Sequence, residues 1–407
     1  MKLGSHFDAE TRFDWLDREP AVVANPEWAL RRPGDLAAAK RALPRLEAHV
    51  WVATSGTSGR SAGARWVALS KEAFLASASA VNAHLDSRSH DVWVHALPLF
   101  HVGGLGILAR ASLSGARVVA GIEERWDPGT FAERAAAAGA TLTALVPAQV
   151  HDLVSAEIPS PPAIRAVVVG GDRLDPALWR AAKSLGWPCL PSYGMTETCS
   201  QVATAPLASI EAPGPPSALA ALPHAEIRCG EEGRIEIRAT SLLTAYAEIE
   251  GDAVRAWDPK RDGWLETDDL GRVAGGSVEV WGRAGEAVKV LGEIVLLPRV
   301  ESRLEGWTAG DPWLRERVLD VALVARPDPR LGHELTLVVA SGDPALAAPP
   351  ALDRLARSLR EFARAELLPF ERPRRVVFLD RIPRNELGKK RRDALALEVG
   401  LHTGLDV

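Results

Sequence analysis

The sequence predicts an α/β protein with a large N-terminal domain of helix-covered sheets, a small antiparallel β subdomain within it, and a small α+β C-terminal domain. Three observations predict this. Short runs of Val, Leu and Ile alternate with longer Ala-rich segments of helical period across roughly the first two-thirds of the chain. From about Arg234 the pattern becomes half-exposed alternation with Gly-rich turns, and after Arg283 two further apolar runs, a Pro-rich loop and an amphipathic segment follow.

In the first region "ARVVAG" (116–121), "DPGTFAERAAAAGA", "LTALVP" and "IRAVVVGGDRL" (164–174) read as strand, helix, strand, strand. Repetition of this kind implies parallel strands buried on both faces by helices. "RIEIRA" and "SVEVWGR" alternate with period two, as antiparallel strands with one solvated face do. Beyond them, "VALVARP" and "LTLVVAS" precede a helix that puts Leu352, Leu355, Leu359, Phe362 and Leu367 on one stripe, then the strand "RVVFLD". The expected domains are therefore 1–283, with the β subdomain at about 234–283, and 284–407.

A chain of 407 residues exceeds what one hydrophobic core usually serves, and 47% apolar residues suffice for two or three. With 48 basic against 53 acidic residues the net charge of -5 gives no general pull toward nucleic acid or anionic lipid. The three cysteines have neither metal-site spacing nor the even count of a disulfide framework, which points to a reducing cytoplasm. No stretch is long and apolar enough for a membrane span. Oligomeric state leaves no mark in the sequence.

Four stretches carry chemistry. In "TSGTSGRSAG" the glycines free the backbone, so that N–H groups and the hydroxyls of Thr54, Ser55, Thr57 and Ser58, with Gly56 and Gly59 between them, can wrap phosphate oxygens. A flexible surface loop has the same composition, and the spacing is not that of an NTPase P-loop. "ALPLFHVGGLGILAR" ends an apolar run on His101 and Gly103, suited to a pocket wall or to a core histidine. "VVVGGDRL" sets Gly170, Gly171 and Asp172 after a buried strand, where a flat ring can approach the backbone. "PSYGMTETCSQVAT" joins Tyr193, Gly194 and Met195 to Thr196 and Glu197, a ring to stack on a base, a phosphate donor and a carboxylate for Mg2+.

Together these segments resemble the core motifs of the adenylate-forming acyl-CoA synthetase superfamily, in the same order. The first is similar to T-S-G-T-T-G-x-P-K, "GGDRL" to G-G-A-x-L, and "YGMTET" to Y-G-x-T-E. "GWLETDDLGR" resembles T-G-D-[LI]-G-x, "WGRAGEAVKVLGEIVLLPRVE" the hinge segment, and "RIPRNELGKKRR" the closing P-R-x-x-x-G-K. Within the superfamily "LPLFHVGGLGILAR" looks most like the o-succinylbenzoate-CoA ligases of menaquinone biosynthesis.

The resemblance implies MgATP-dependent activation of a small carboxylic acid through an acyl-adenylate, transfer to coenzyme A, and a mobile C-terminal domain. It implies that residues 54–59 hold phosphates, that Tyr193, Gly170 and Gly171 bracket adenine, and that Asp269 with Arg283 serves the ribose. Thr196 and Glu197 then serve the α-phosphate and the metal, Lys389 bridges carboxylate and α-phosphate, and Lys289 reaches phosphate after rotation. Arg110 and His101 line the acyl pocket; a surface salt bridge is the other reading of Arg110. Five positions depart from the pattern: Ser61-Ala62 replace Pro-Lys, leaving Arg60 or Arg65 as the loop cation; Gly285 occupies the hinge; Asp268 replaces a glycine; and Lys390 follows the catalytic lysine. A stand-alone adenylation protein, a ligase for another acid and a non-catalytic nucleotide-binding relative are the other readings.

Overall fold

The computed structural model of the chain describes residues 13–25, 33–54, 65–122, 125–216, 218–250, 253–384, 390–400 and 405–406. Ser55 to Gly59 and Lys389 lie outside them.

One sheet of eleven strands dominates. Its parallel half runs Arg117–Ala120, Val92–His95, Leu142–Leu145, Ala166–Val169 and Cys189–Met195. The next strand, Ser200–Thr204, pairs antiparallel with Cys189–Met195, and antiparallel pairing continues through Leu219–Ala221, Ser277–Arg283, Leu265–Ala274 and Arg234–Ala239 to Ala225–Cys229. The parallel strands Leu142–Leu145 and Ala166–Val169 are buried through their length, as the unbroken apolar runs require. Capping sets the helices around them: Asp127 accepts from the Thr130 amide at the start of Pro128–Ala138, and Asp175 from the Ala177 and Leu178 amides at the start of Pro176–Ser184.

A second sheet holds Ala21–Val23, His49–Thr54, Arg65–Ser70, Ala245–Glu250 and Ala253–Trp257. The alternating segment after Arg234 is thus antiparallel as read, but its strands are divided between the two sheets. Val50, Val67 and Leu69 of one sheet share a core with Val202, Ile235 and Ile237 of the other. Burial between sheets, which no local pattern encodes, decided the division.

After the hairpin Ala287–Val290/Glu293–Leu296 comes a four-stranded sheet of Asp320–Asp328, Gly332–Ala340, Arg375–Leu379 and Leu405–Asp406. Its period-two strands feed two cores. Val321, Leu323, Leu337 and Val339 meet Leu304 of the Leu297–Gly310 helix and Leu355 and Leu359 of the Ala351–Glu366 helix. Ala322, Val324, Val338 and Ala340 meet Leu395 and Val399 of the Arg392–Gly400 helix. The expected stripe lies on this sheet, with Leu352 only half-buried and Leu367 just past the helix end. Among the described residues no helix is long and apolar enough to cross a membrane.

Candidate active site

Tyr193 stands near the C-terminal end of the central strand Cys189–Met195, where ligands collect in open α/β sheets. Its hydroxyl donates to Asp269 Oδ2 at 2.8 Å, and Arg283 Nε lies 3.4 Å from Oδ1. Ladder register puts Asp269 opposite Arg283 on neighbouring strands. Burial, with the Asp269 charge beside it, pushes the Tyr193 phenol well above its usual range, so it remains a donor. Asp268 points the other way, 83% exposed and 3.5 Å from Arg234. Strand alternation therefore turns this charge away from the Tyr193 side, although it still acts on the Tyr246 phenol.

The chain after Tyr193 turns sharply. A Cβ on Gly194 would lie 1.9 Å from the Ser200 carbonyl oxygen, so backbone packing alone demands glycine there. Thr196–Thr198 form one 3-10 turn, with the Met195 amide donating to Thr198 Oγ1 at 3.0 Å. The turn half-buries Glu197, whose Oε1 accepts from the Tyr246 hydroxyl at 2.8 Å. Gly170, Gly171 and Asp172 follow the neighbouring strand; Gly171 has φ +84° and is exposed with Asp172. Thr54 ends its strand with Oγ1 donating to the Arg65 carbonyl at 3.2 Å, closing the base of the 55–64 segment. Arg65 is held by Glu248 at 3.1 Å and sits over the Tyr246 and Trp257 rings, so it ties its strand to the strand Ala245–Glu250.

Arg110 lies inside the Val102–Ser114 helix and is 1% exposed, which removes the surface salt-bridge reading. Its Nη2 donates to Ser200 Oγ at 2.9 Å and Gln201 Oε1 at 2.8 Å, and Gln201 passes the restraint to Thr204 Oγ1 at 2.8 Å. Among the described residues Nε and Nη1 are buried with no hydrogen-bond partner and no carboxylate pairs with the guanidinium, which lies over the Trp93 ring 5.5 Å from its centroid. Burial lowers its pKa to about 10, which leaves it charged at neutral pH. Gly106 faces the same guanidinium: a Cβ there would lie 3.3 Å from Nη2, so a larger residue would crowd it. His101 occupies the N-cap position without a side-chain capping bond, half-buried, its pKa lowered by burial; Gly103 is the second residue of the helix, against Leu97. Gln201 and Ser200 carried no sequence signal beyond lying beside the "YGMTET" motif.

Lys289 is exposed on its hairpin, away from any described partner of its ammonium. Lys390 is half-buried: its Nζ meets Glu305 Oε1 at 2.8 Å, the Val321 carbonyl at 2.6 Å and Glu301 Oε2 at 3.5 Å. Arg392 grips Glu301 with both Nη atoms, at 2.8 and 2.9 Å, and reaches Glu286 Oε1 with Nε at 3.0 Å. Burial works against Glu301's charge, but Lys390 and Arg392 outweigh it and hold the carboxyl below its usual range. The unusual residue after Lys389 is thus an anchor. Arg384 and Lys390 also pair across the ends of the 385–389 segment.

Tyr193 and Asp269 on the eleven-stranded sheet, Glu197 in the turn just after Tyr193, and Arg110 in the helix beside Ser200 make up the candidate site. The chain belongs to the AMP-binding enzyme family: that family matches residues 15–246, and the AMP-binding enzyme C-terminal domain matches 315–389. The chain is 28% identical over 351 residues to the 2-succinylbenzoate--CoA ligase of Bacillus licheniformis, covering 84% of this chain and 68% of that one. It is 30% identical to the indoleacetate--CoA ligase of Aromatoleum aromaticum, covering 84% of this chain and 65% of that one. Among solved structures it is similar to wild-type E. coli MenE with a bound phenylether-linked analogue of OSB-AMS, at TM-score 0.63 and 25% identity over 87% of this chain and 69% of that one. The fold of the Bacillus subtilis o-succinylbenzoate CoA synthetase in complex with OSB-AMP matches at TM-score 0.70 and 24% identity, over 85% and 68%.

Proposed function

We propose that the chain activates o-succinylbenzoate, an aromatic acid with a second carboxylate, and transfers the acyl group to coenzyme A, with 1–283 as nucleotide lobe and 284–407 as the mobile lobe. The observation that carries the substrate is Arg110: a buried guanidinium with two nitrogens unpartnered and no acidic neighbour among the described residues is a charge awaiting an anion. A dicarboxylate supplies that anion while its other carboxylate reacts.

A carboxylate oxygen attacks the α-phosphorus of ATP, the bond to the β-phosphate oxygen breaks, and pyrophosphate leaves. The coenzyme A sulfur, its proton lost to solvent, then attacks the acyl carbon, and the bond to AMP oxygen breaks. In this reading Tyr193 lies against adenine between Gly170, Gly171 and Asp172 on one side and Gly194 and Met195 on the other. Asp269, with Arg283, accepts the ribose hydroxyls; a carboxylate has about four acceptor sites, enough for these beside Tyr193. Thr196 contacts the α-phosphate, and residues 54–59 hold the rest of the triphosphate.

Mg2+ binds readily to one carboxylate completed by phosphate oxygens, which is what Glu197 offers. Among the described residues no group of three metal-ligating side chains occurs, so the ion would arrive with the nucleotide. Lys389 bridges the reacting carboxylate and α-phosphate, and Lys289 takes phosphate after the lobes turn. The three free cysteines suit the cytoplasm, where ATP and coenzyme A are supplied.

Pyrophosphate release measured over aromatic and aliphatic acids, with and without coenzyme A, tests the reading. We expect o-succinylbenzoate to be preferred and Arg110→Ala to raise the acid KM at least about tenfold with the ATP KM little changed, the scale of one buried charge-assisted contact. Equal use of a monocarboxylate such as indoleacetate, or equal effects on both KM values, would overturn it.

A further inference from the structure

Resting on the assignment of Glu197 to the metal, we propose that Tyr246 is a positioning residue for Glu197: its hydroxyl sets the carboxylate that receives the metal–nucleotide complex. The chain has two tyrosines, and each donates its single hydroxyl proton to one of the two carboxylates assigned to the nucleotide, Tyr193 to Asp269 and Tyr246 to Glu197.

Tyr246 belongs to the five-stranded sheet, on the strand Ala245–Glu250 between Arg65–Ser70 and Ala253–Trp257. Glu197 belongs to the turn after the central strand of the eleven-stranded sheet. The bond between them therefore joins two sheets across 49 residues of chain. A second tie fixes the same juncture: the Leu243 amide donates to the Glu197 carbonyl at 2.7 Å, and Lys260 Nζ donates to the Leu243 carbonyl at 2.7 Å.

The phenol itself is held on its faces. Arg65 lies 5.1 Å from the ring centroid and Trp257 5.4 Å, and Arg65 is fixed in turn by Glu248. A carboxylate rotates freely about its last bond unless something takes one oxygen. Donation to Oε1 removes that freedom and leaves Oε2 for a cation. A phenol hydroxyl has one proton to donate and a carboxylate only accepts, so the bond runs from Tyr246 to Glu197. Magnesium demands near-ideal geometry, and partners that orient its ligands are worth about tenfold to a hundredfold in affinity.

Arg65 also begins the strand that follows the hydroxyl-glycine segment. The base of that segment and the Glu197 carboxylate thus share one support, the Tyr246 ring.

Tyr246→Phe removes the hydroxyl and keeps the ring that Arg65 and Trp257 pack against. The test is Mn2+ binding in the presence of ATP, followed by electron paramagnetic resonance, beside AMP binding without metal. We expect Mn2+ to be held about tenfold or more weakly by Tyr246→Phe, with AMP affinity within about twofold of wild type. Glu197→Gln should lose at least as much, because it removes the ligand itself, and the double variant little more than Glu197→Gln, because Tyr246 acts only through that carboxylate. Equal Mn2+ affinity in wild type and Tyr246→Phe overturns the role of Tyr246 alone. Absence of any ATP-dependent Mn2+ binding in wild type overturns the metal assignment and this inference with it.

Discussion

Asp91 sits where three parallel strands begin, opposite the strand ends that carry Tyr193 and Gly170. Arg165 reaches its oxygens at 2.8 and 3.0 Å, Thr141 Oγ1 donates at 2.7 Å, and the Arg88 amide donates at 2.8 Å. Burial pushes its carboxyl up, but these donors together outweigh it and hold the pKa at about 2. A depressed folded-state value stabilises the fold above the unfolded pKa and is lost as pH falls through the folded one. The stability advantage of wild type over Asp91→Asn should therefore be full above about pH 4 and shrink between about 4 and 2. Urea unfolding at stepped pH measures it; a gap independent of pH below 4 would contradict the assignment.

At the scale of elements, the Leu297–Gly310 and Arg392–Gly400 helices are joined by charge as well as by apolar contact. Glu301, 3% exposed, takes Arg392 and Lys390 and also accepts the Leu323 amide at 2.6 Å. Removing one member of a buried ionic group costs more than the group contributes, because the remaining charges keep their desolvation penalty. Glu301→Ala should therefore destabilise the 284–407 region by about 3 kcal/mol. Hydrogen exchange should show lost protection at Leu323 and along the Arg392–Gly400 helix while the parallel strands keep theirs. Uniform loss along the chain would show that the cluster supports more than this region.

For the whole molecule the position to test is Gly285, in the Ala284–Glu286 turn between the two proposed lobes. Here its φ is not positive, and a Cβ would meet nothing within 4 Å, so this arrangement has no need of glycine. Glu286 beside it supplies the charge that glycine lacks, accepting from the Arg283 amide at 3.4 Å and from Arg392 at 3.0 Å. If a second orientation takes Gly285 through positive φ, a side chain costs about 1–2 kcal/mol there and nothing here. Gly285→Ala should then leave acid-dependent pyrophosphate release unchanged and slow thioester formation from supplied acyl-adenylate by about tenfold. Equal rates in both half-reactions would place the pivot elsewhere.

The alternation of apolar runs foretold the parallel strands and the C-terminal sheet, because burial on one or two faces imposes a period that needs no knowledge of partners. Tyr193, Glu197 and Asp269 were legible for a related reason: they stand in short motifs whose neighbours make the turn or strand that presents them. What the sequence left open were meetings between distant segments: Tyr246 with Glu197, Arg65 with Glu248 183 residues away, and Lys390 with Glu301 89 away. The division of the post-234 strands between two sheets and the burial of Arg110 with no carboxylate beside it among the described residues belong to the same class. Local pattern records how each residue relates to its own element. Which charges are paired, spent or left waiting is fixed only when elements pack, since that step alone removes water and supplies or withholds the partner.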